Sequence, residues 1–162
     1  MHHLQIFTDA SVNTRLKVGY GAYLVVTDSD TSIAVLKRKL KIKRFEQTSS
    51  TKSELQTLLW ALNEVIDWVE KCDTTFTIYT DSQNIIDLPN RRRQLEQKNY
   101  YSSKNRRISN YELYQEFYRL TSNITCELVK VIGHQMSNNK DDIDRLFSLV
   151  DKASRRALRQ EF

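Results

Sequence analysis

The stretch that decides the fold runs from residue 51 to residue 81 and reads TKSELQTLLWALNEVIDWVEKCDTTFTIYTD. Its first part predicts an amphipathic helix over residues 51 to about 70, because apolar residues recur at helical spacing. These residues are Leu55, Leu58, Leu59, Leu62, Val65, Ile66 and Val69. Residues 76–80 then predict a strand that ends at Asp81. A strand–helix–strand order favours a right-handed crossover, so this strand is expected to lie parallel to an earlier one.

Three predicted strands precede this unit. Residues 4–9 predict a strand that ends in a carboxylate, and a turn-like stretch leads to a second strand over residues 19–26. A third strand is expected over residues 32–44. Because the connections are short, the three strands are expected to form an antiparallel meander.

The second half of the chain continues the alternation of helices and strands. Residues 82–97 predict one or two short helices interrupted at Pro89, and residues 111–121 predict a helix for which Asn110 is a good N-cap. A fifth strand over residues 126–132 and a C-terminal amphipathic helix follow. The order βββαβα(α)αβα is typical of an α/β domain with three layers.

The composition limits the possible classes of protein. A length of 162 residues suits one domain, residues 1–162, with a proper core. Cys72 and Cys126 are too few and too isolated for a disulfide scaffold or a zinc site. No apolar run approaches membrane-spanning length, and the N-terminus lacks the apolar region of a signal peptide. A cytoplasmic location is therefore expected.

Basic residues cluster in two segments of a chain whose net charge is +5. Residues 37–44 carry six basic residues and no acid, and residues 89–107 carry seven basic residues against the single acid Glu96. Such clustering attracts polyphosphate, so nucleic acid is the first partner expected. In a third strand over residues 32–44, the alternating lysines Lys37, Lys39, Lys41 and Lys43 would share one face. They would either bind nucleic acid or protect an exposed strand from aggregation.

Two aspartates stand where predicted strands end. Asp9 and Asp81 would emerge at one edge of the sheet if their strands are parallel neighbours. The structural alternative is that each aspartate only begins a turn, or that Asp81 or Ser82 caps the following helix.

Glu54 is a third candidate acid. The run Thr51-Lys52-Ser53-Glu54 fits a capping box, which would account for Glu54 structurally. Glu54 also lies four residues before Leu58 and so follows the apolar stripe, where a carboxylate is unfavourable unless a positive charge neutralises it. Converging acids without a Cys or His cluster suit Mg²⁺ or Mn²⁺. Two such ions about 3.5–4 Å apart support phosphodiester hydrolysis.

Six segments in order along the chain resemble the motifs of the type 1 ribonuclease H family. They are Phe7-Thr8-Asp9-Ala10-Ser11, Gly19-Tyr20-Gly21-Ala22, Ser53-Glu54-Leu55, Tyr79-Thr80-Asp81-Ser82-Gln83, Gly133-His134 and Val150-Asp151-Lys152-Ala153. The resemblance implies a ribonuclease H-like fold, a five-stranded mixed sheet of three antiparallel strands then two parallel ones, flanked by helices. It also implies hydrolysis of the RNA strand of RNA–DNA hybrids with two metal ions.

The resemblance also implies the catalytic residues. Asp9, Glu54, Asp81 and Asp151 would hold the two metal ions, and His134 on a loop would assist proton transfer or product release. Asp144 is a rival for the fourth position, because it lies 10 residues after His134 whereas Asp151 lies 17 residues after it. Asp151 is preferred since only its surroundings resemble the start of the family's final helix. The additional residues 138–149 are expected to extend that helix upstream.

Further residues are expected to contact the substrate by the same resemblance. The segment between residues 91 and 107 resembles a basic protrusion that grips the hybrid, and its candidates are Arg91, Arg92, Arg93, Lys104, Arg106 and Arg107. Asn110 matches a DNA-phosphate pocket, Gln83 a minor-groove contact, and Asn13 is a candidate for the RNA 2′-hydroxyl. Ser50 and Thr51 replace a common pair of asparagines, and their hydroxyls are expected to bond sugar and phosphate.

Two other functions fit parts of the pattern. A DNA nuclease or resolvase of the same superfold would share the acids, but it usually lacks the Tyr-Thr-Asp-Ser-Gln and Gly-His motifs. A non-catalytic hybrid-binding module would not need all four acids. The chain is expected to act as a monomer without an obligate protein partner.

Overall fold

The computed structural model describes residues 2–27, 32–71, 73–132 and 141–162. In these ranges five strands are β1 (His2–Asn13), β2 (Val18–Val26), β3 (Lys41–Glu46), β4 (Thr74–Thr80) and β5 (Thr125–Lys130). The helices are α1 (Ile33–Lys39), α2 (Ser50–Lys71), α3 (Gln83–Gln97), α4 (Tyr111–Thr121) and α5 (Asp142–Glu161).

The strands form one sheet in the order β3-β2-β1-β4-β5. β1 pairs antiparallel with β2, and β2 antiparallel with β3, whereas β1–β4 and β4–β5 are parallel pairs. The predicted mixed sheet is therefore confirmed. Phe7 lies opposite Tyr79 in the parallel pair, so Asp9 and Asp81, each two residues further on, emerge at the same edge.

Helices cover both faces of the sheet, as its apolar side chains require. On one face α2 buries Leu55, Leu58 and Leu62 in a cluster that includes Ile6 and Ile78. On the other face α5 buries Phe147 and Val150 in a cluster that includes Phe7 and Leu24. The sheet is thus clamped between two apolar layers, which hold β1 and β4 in register.

The third predicted strand was wrong over residues 33–39, which form helix α1 before β3 begins at Lys41. Ser32 caps this helix by accepting a hydrogen bond from the Val35 backbone N–H at 3.2 Å, and Leu36 is buried against the sheet. Lysine and arginine in the last turn also interact favourably with the helix dipole. The four lysines therefore do not share one strand face: Lys37 and Lys39 lie on α1.

The predicted break at Pro89 was also wrong, because α3 runs through it as one helix. Its buried residues Ile85, Leu88 and Leu95 lie on both sides of the proline, and the Tyr118 hydroxyl of α4 donates to the Leu88 carbonyl at 2.6 Å. Packing thus offsets the hydrogen bond that proline cannot donate. The predicted helix α4 is confirmed, but Asn110 does not cap it with its side chain.

Gly21 of β2 lies close to α2, and its lack of a side chain allows the close approach of Thr57. A Cβ at Gly21 would lie 2.9 Å from the Cβ of the buried Thr57 and closer still to its hydroxyl. Gly21→Ala is therefore expected to lower the free energy of unfolding by roughly 1–3 kcal/mol, measured by urea denaturation. Adding Thr57→Ala should restore part of the loss. Equal stability of Gly21→Ala and the original chain would contradict this close packing.

Candidate active site

Three carboxylates from three elements meet at the edge of the sheet. Asp9 lies on β1, Glu54 at the fifth residue of α2, and Asp81 directly after β4. One carboxylate oxygen from each lies within 4.8 Å of the other two. Asp9 is only 4% exposed, so the cluster reaches into the interior. The fold therefore brings together three acids that are far apart along the chain.

The start of α2 directs Glu54 into this cluster. Ser49 caps the helix, because its hydroxyl accepts a hydrogen bond from the Lys52 backbone N–H at 3.2 Å. The capping box at Thr51 was therefore wrong, and Glu54 is not needed as its partner. The Glu54 Oε2 atom is buried and has no hydrogen-bond partner among the described residues.

Burial and mutual repulsion make the acids hold their protons. Desolvation, followed by the charges of Glu54 and Asp81 and a hydrogen bond with Asp151, raises the pKa of Asp9 to about 10. Desolvation, followed by the charges of Asp81 and Asp151, raises the pKa of Glu54 to about 8. Without a cation the cluster therefore remains partly protonated at neutral pH.

Asp151 and Asp144 have different environments, although both lie on α5. Asp151 hydrogen-bonds Asp9 and contributes to the raised pKa of Glu54, so it lies beside the cluster of Asp9, Glu54 and Asp81. Its Oδ1 atom also forms an ion pair with Nε of Arg155 at 3.0 Å. Asp144 instead completes a capping box with Asp141, whose carboxylate accepts from the Asp144 backbone N–H at 2.8 Å.

The predicted sugar- and phosphate-binding residues lie around the cluster in separate places. Ser50 and Thr51 are exposed in the first turn of α2, next to Glu54. Asn13 ends β1, and its Oδ1 atom accepts from the Leu16 backbone N–H at 3.0 Å. Gln83 opens α3, where its side chain bridges Asp87 at 2.8 Å and Lys130 at 2.7 Å. Asn110 adopts a left-handed conformation with φ of 66° before α4.

The six predicted basic residues lie on α3 and on the segment that joins it to α4. Three of the arginines rest on tyrosine rings. Arg91 lies 5.6 Å from the ring centre of Tyr114, and Arg92 lies 5.3 Å from that of Tyr118. Arg107 lies 4.7 Å from Tyr101 and 4.5 Å from Tyr111. Arg93, Lys104 and Arg106 are exposed.

Tyr100 lies within the basic segment and connects it to the core. It is 5% exposed and therefore anchors the segment in the core. The Ile108 backbone N–H donates to the Tyr100 carbonyl at 2.7 Å, and a bridge between Tyr101 and Arg107 closes the hairpin. The basic segment is thus an ordered protrusion.

His134, an expected catalytic residue, and Arg155, a neighbour of the cluster, stand differently to the sequence prediction. His134 and the predicted helix extension over residues 138–140 lie outside the described residues, and α5 begins at Asp142. Arg155 was missed by sequence reasoning. Its spacing of four residues from Asp151 is that of a helical ion pair, which is the signal that would have found it.

A five-stranded mixed sheet with a cluster of three carboxylates at the edge of its central parallel pair is typical of the ribonuclease H-like superfold of nucleases. The sequence profile of the RNase H family ("RNase H") matches residues 1–151. The chain belongs to the RNase H family, and it is an endonuclease that hydrolyses the RNA strand of RNA–DNA hybrids.

Solved structures share this fold at low sequence identity. LC9-RNase H1, described as a type 1 RNase H with the type 2 active-site motif, is 16% identical with a TM-score of 0.72, covering 96% of this chain and 72% of its own. RNase H1 from Halobacterium salinarum is 12% identical with a TM-score of 0.64, covering 98% of both chains. The foamy viral protease-reverse transcriptase is 9% identical with a TM-score of 0.60, covering 94% and 93%.

Two further comparisons are negative. No curated protein sequence gives a significant match. Within the described part of the chain, none of the helices has the length and apolar character to cross a membrane.

The raised pKa values predict how stability depends on pH. Folded Asp9 and Glu54 keep protons that the unfolded chain loses near the ordinary values of 3.8 and 4.5. In buffer without divalent cations, the unfolding free energy should therefore fall as the pH rises from about 5 to about 9. Thermal unfolding in EDTA measures this, and Asp9→Asn should flatten the slope. Asp67→Asn, which removes an exposed acid of α2, should keep it. A stability that increases with pH would refute the assignment.

Proposed function

We propose that the chain cleaves the RNA strand at the carboxylate cluster, with Asp9, Glu54, Asp81 and Asp151 holding two divalent cations. The observation that carries this proposal is the convergence of acids around Asp9, which is 4% exposed. Like charges in such a place repel one another, and bound cations remove that repulsion. The cations are Mg²⁺ or Mn²⁺.

The residues fit such cations by their chemistry. All donors are carboxylate oxygens, which suit hard cations such as Mg²⁺ and Mn²⁺. The buried Glu54 Oε2 atom, which has no partner in the described part of the protein, is a ready ligand. When bound, two such cations activate a water molecule and stabilise the leaving oxygen of the phosphodiester.

The protein's own contribution is to hold the ligands in place. Asp9 lies on the central strand β1, opposite Ala22 of β2 and two residues beyond the last residue that pairs with β4, so the β1–β2 ladder fixes its backbone. Arg155 holds the carboxylate of Asp151 from the solvent side through their 3.0 Å ion pair. Rigid ligands reduce the reorganisation that the reaction requires.

Proton transfer belongs to the same proposal. The protons that Asp9 and Glu54 retain near neutral pH have to leave when cations bind. The assistance by His134 stays a prediction from the sequence, because this residue lies outside the described ranges.

The basic protrusion of residues 91–107 is proposed to grip the phosphates of the hybrid. Exposed Arg93, Lys104 and Arg106 offer charges to the backbone, while tyrosine rings hold Arg91, Arg92 and Arg107 at fixed places. Fixed charges lose less side-chain entropy on binding. Sequence-independent phosphate contacts of this kind suit an enzyme that cuts hybrids of many sequences.

Finer substrate contacts are proposed on each side of the cluster. Ser50 and Thr51 present hydroxyls next to Glu54, which suits contacts with sugar and phosphate. Asn13 has its Oδ1 atom engaged in a turn, so it would recognise a 2′-hydroxyl through its amide nitrogen. Gln83 would exchange its Lys130 partner for the minor groove, and Asn110 would bind a DNA phosphate. The single domain over residues 1–162, the monomeric state and the cytoplasmic location stay predictions.

The decisive experiment compares four labelled substrates. Incubation with RNA–DNA hybrid, duplex RNA, duplex DNA and a four-way junction in Mg²⁺ or Mn²⁺ should cut only the RNA strand of the hybrid. The products should carry a 3′-hydroxyl and a 5′-phosphate. Cleavage of DNA or of the junction without hybrid cleavage would favour the DNA nuclease or resolvase. Binding of the hybrid without any cleavage would favour the non-catalytic module.

Paired substitutions on α5 test the fourth ligand. Asp151→Asn should lower kcat at least about tenfold and weaken the rise in melting temperature caused by Mg²⁺, because a metal ligand is lost. Asp144→Asn should keep kcat and lose about 1 kcal/mol of unfolding free energy, because it weakens the helix cap. Kinetics on labelled hybrid and thermal unfolding with and without Mg²⁺ measure both effects. Loss of kcat in Asp144→Asn alone would reverse the assignment.

A further inference from the structure

A groove separate from the acids lies between α1 and α5. Its apolar surface includes Leu40, Ile42 and Ala153, and the cations Lys37, Lys152 and Arg156 also line it. Its volume of about 360 Å³ holds several apolar side chains. Ile42 is 48% exposed on β3, the strand at the edge of the sheet. One wall of the groove includes Lys37 of α1, the helix that the structure shows where a strand was predicted.

Ile33 of α1 is a second exposed aliphatic residue near the groove along the chain. It lies four residues before Lys37, which lines the groove, and so shares its side of the helix, and it is 46% exposed. Folding of the described chain does not bury these two isoleucines.

The charge of the groove is of one sign. Three cations and no acid are among its described lining residues. On the neighbouring face of α5 the charge is balanced, because Arg155 pairs with Asp151. The groove thus combines an aliphatic surface with positive charges that its own lining does not neutralise.

We propose that this groove binds a short peptide segment of a partner protein, rich in aspartate or glutamate beside large aliphatic or aromatic side chains. Carboxylates complement Lys37, Lys152 and Arg156, and apolar side chains cover Ile42 and Leu40. The groove follows α5 from Leu149 to Gln160, a distance of about 16 Å that matches roughly five residues of extended chain. Single-stranded nucleic acid fits less well, since no aromatic side chain lines the groove for base stacking.

A selection with a displayed random heptapeptide library on the immobilised full chain tests the proposal. Peptides that also bind the Arg156→Glu variant are removed, because this exposed substitution reverses one charge of the groove. The survivors should combine acidic with large apolar residues. A synthetic survivor should bind the original chain at least about tenfold more tightly than Arg156→Glu or Ile42→Asp, by fluorescence anisotropy.

Arg93→Glu is the matched control, because it makes the same charge reversal in the protrusion and should leave peptide affinity unchanged. Circular dichroism melts verify that each variant is folded. Four outcomes would overturn the proposal: no survivor that discriminates against Arg156→Glu, survivors without carboxylates, displacement of the peptide by RNA–DNA hybrid, or self-association of the chain that Ile42→Asp abolishes. Because no step measures cleavage, failure here is distinct from failure of the proposed catalytic residues.

Discussion

Parallel hydrogen bonding between β1 and β4 is the constraint on which the site depends. It sets Phe7 opposite Tyr79, and so forces Asp9 and Asp81 to emerge together although their charges repel. The register survives because apolar layers under α2 and α5 hold both faces of these strands. Packing energy distributed over the whole core thus stabilises a local arrangement that is unfavourable by itself. Burial, followed by this repulsion, raises the pKa values of Asp9 and Glu54, so that protons relieve the repulsion in the absence of cations.

The helices α2 and α5, which carry Glu54 and Asp151, are capped by different residues. The N-terminus of α2 must point at the cluster, and Ser49 completes the helix cap without using Glu54. At the start of α5, Asp141 and Asp144 form the capping box, and Asp144 lies about two turns before Asp151. Separate residues thus cap the helices and complete the cluster. An aspartate whose oxygen already accepts or shares a capping hydrogen bond is a poorer ligand, which explains physically why the nearer acid along the chain is not the one in the cluster.

The elements that the sequence predicted correctly are those set by local patterns, whereas those set by tertiary contacts were missed. Helix α2 and strand β4 were predicted because Leu55, Leu58 and Leu62 repeat at a local period and Asp81 ends an apolar run. Helix α1 was missed because lysines spaced two apart fit a strand pattern. The cap at Ser32 is local, but the burial of Leu36 against the sheet depends on tertiary packing. The same holds for Pro89, where the core contacts of Leu88 and Leu95 outweigh a local helix breaker.

For the candidate site, the sequence predicted that Asp9, Glu54 and Asp81 lie close together but not their protonation. Spacing along the chain left Asp144 and Asp151 as alternatives, since both lie on the same helix seven residues apart. Only the fold shows that one reaches Asp9 and the other caps the helix start. Raised pKa values likewise depend on burial and on neighbours distant in sequence. No local pattern encodes those quantities, because each arises from charges that meet only after the sheet has formed.

The distribution of charge follows from this arrangement. Acids concentrate at one edge of the sheet, and any polyanionic substrate would be repelled there without bound cations. Six of the basic residues lie on α3 and on the segment that joins it to α4, and three of them, Arg91, Arg92 and Arg107, lie over tyrosine rings. Arg155 of α5 does form an ion pair with Asp151, so the protein itself partly balances the charge of that acid. Asp9 and Glu54 hold protons instead, and a divalent cation that bound there would have to displace those protons.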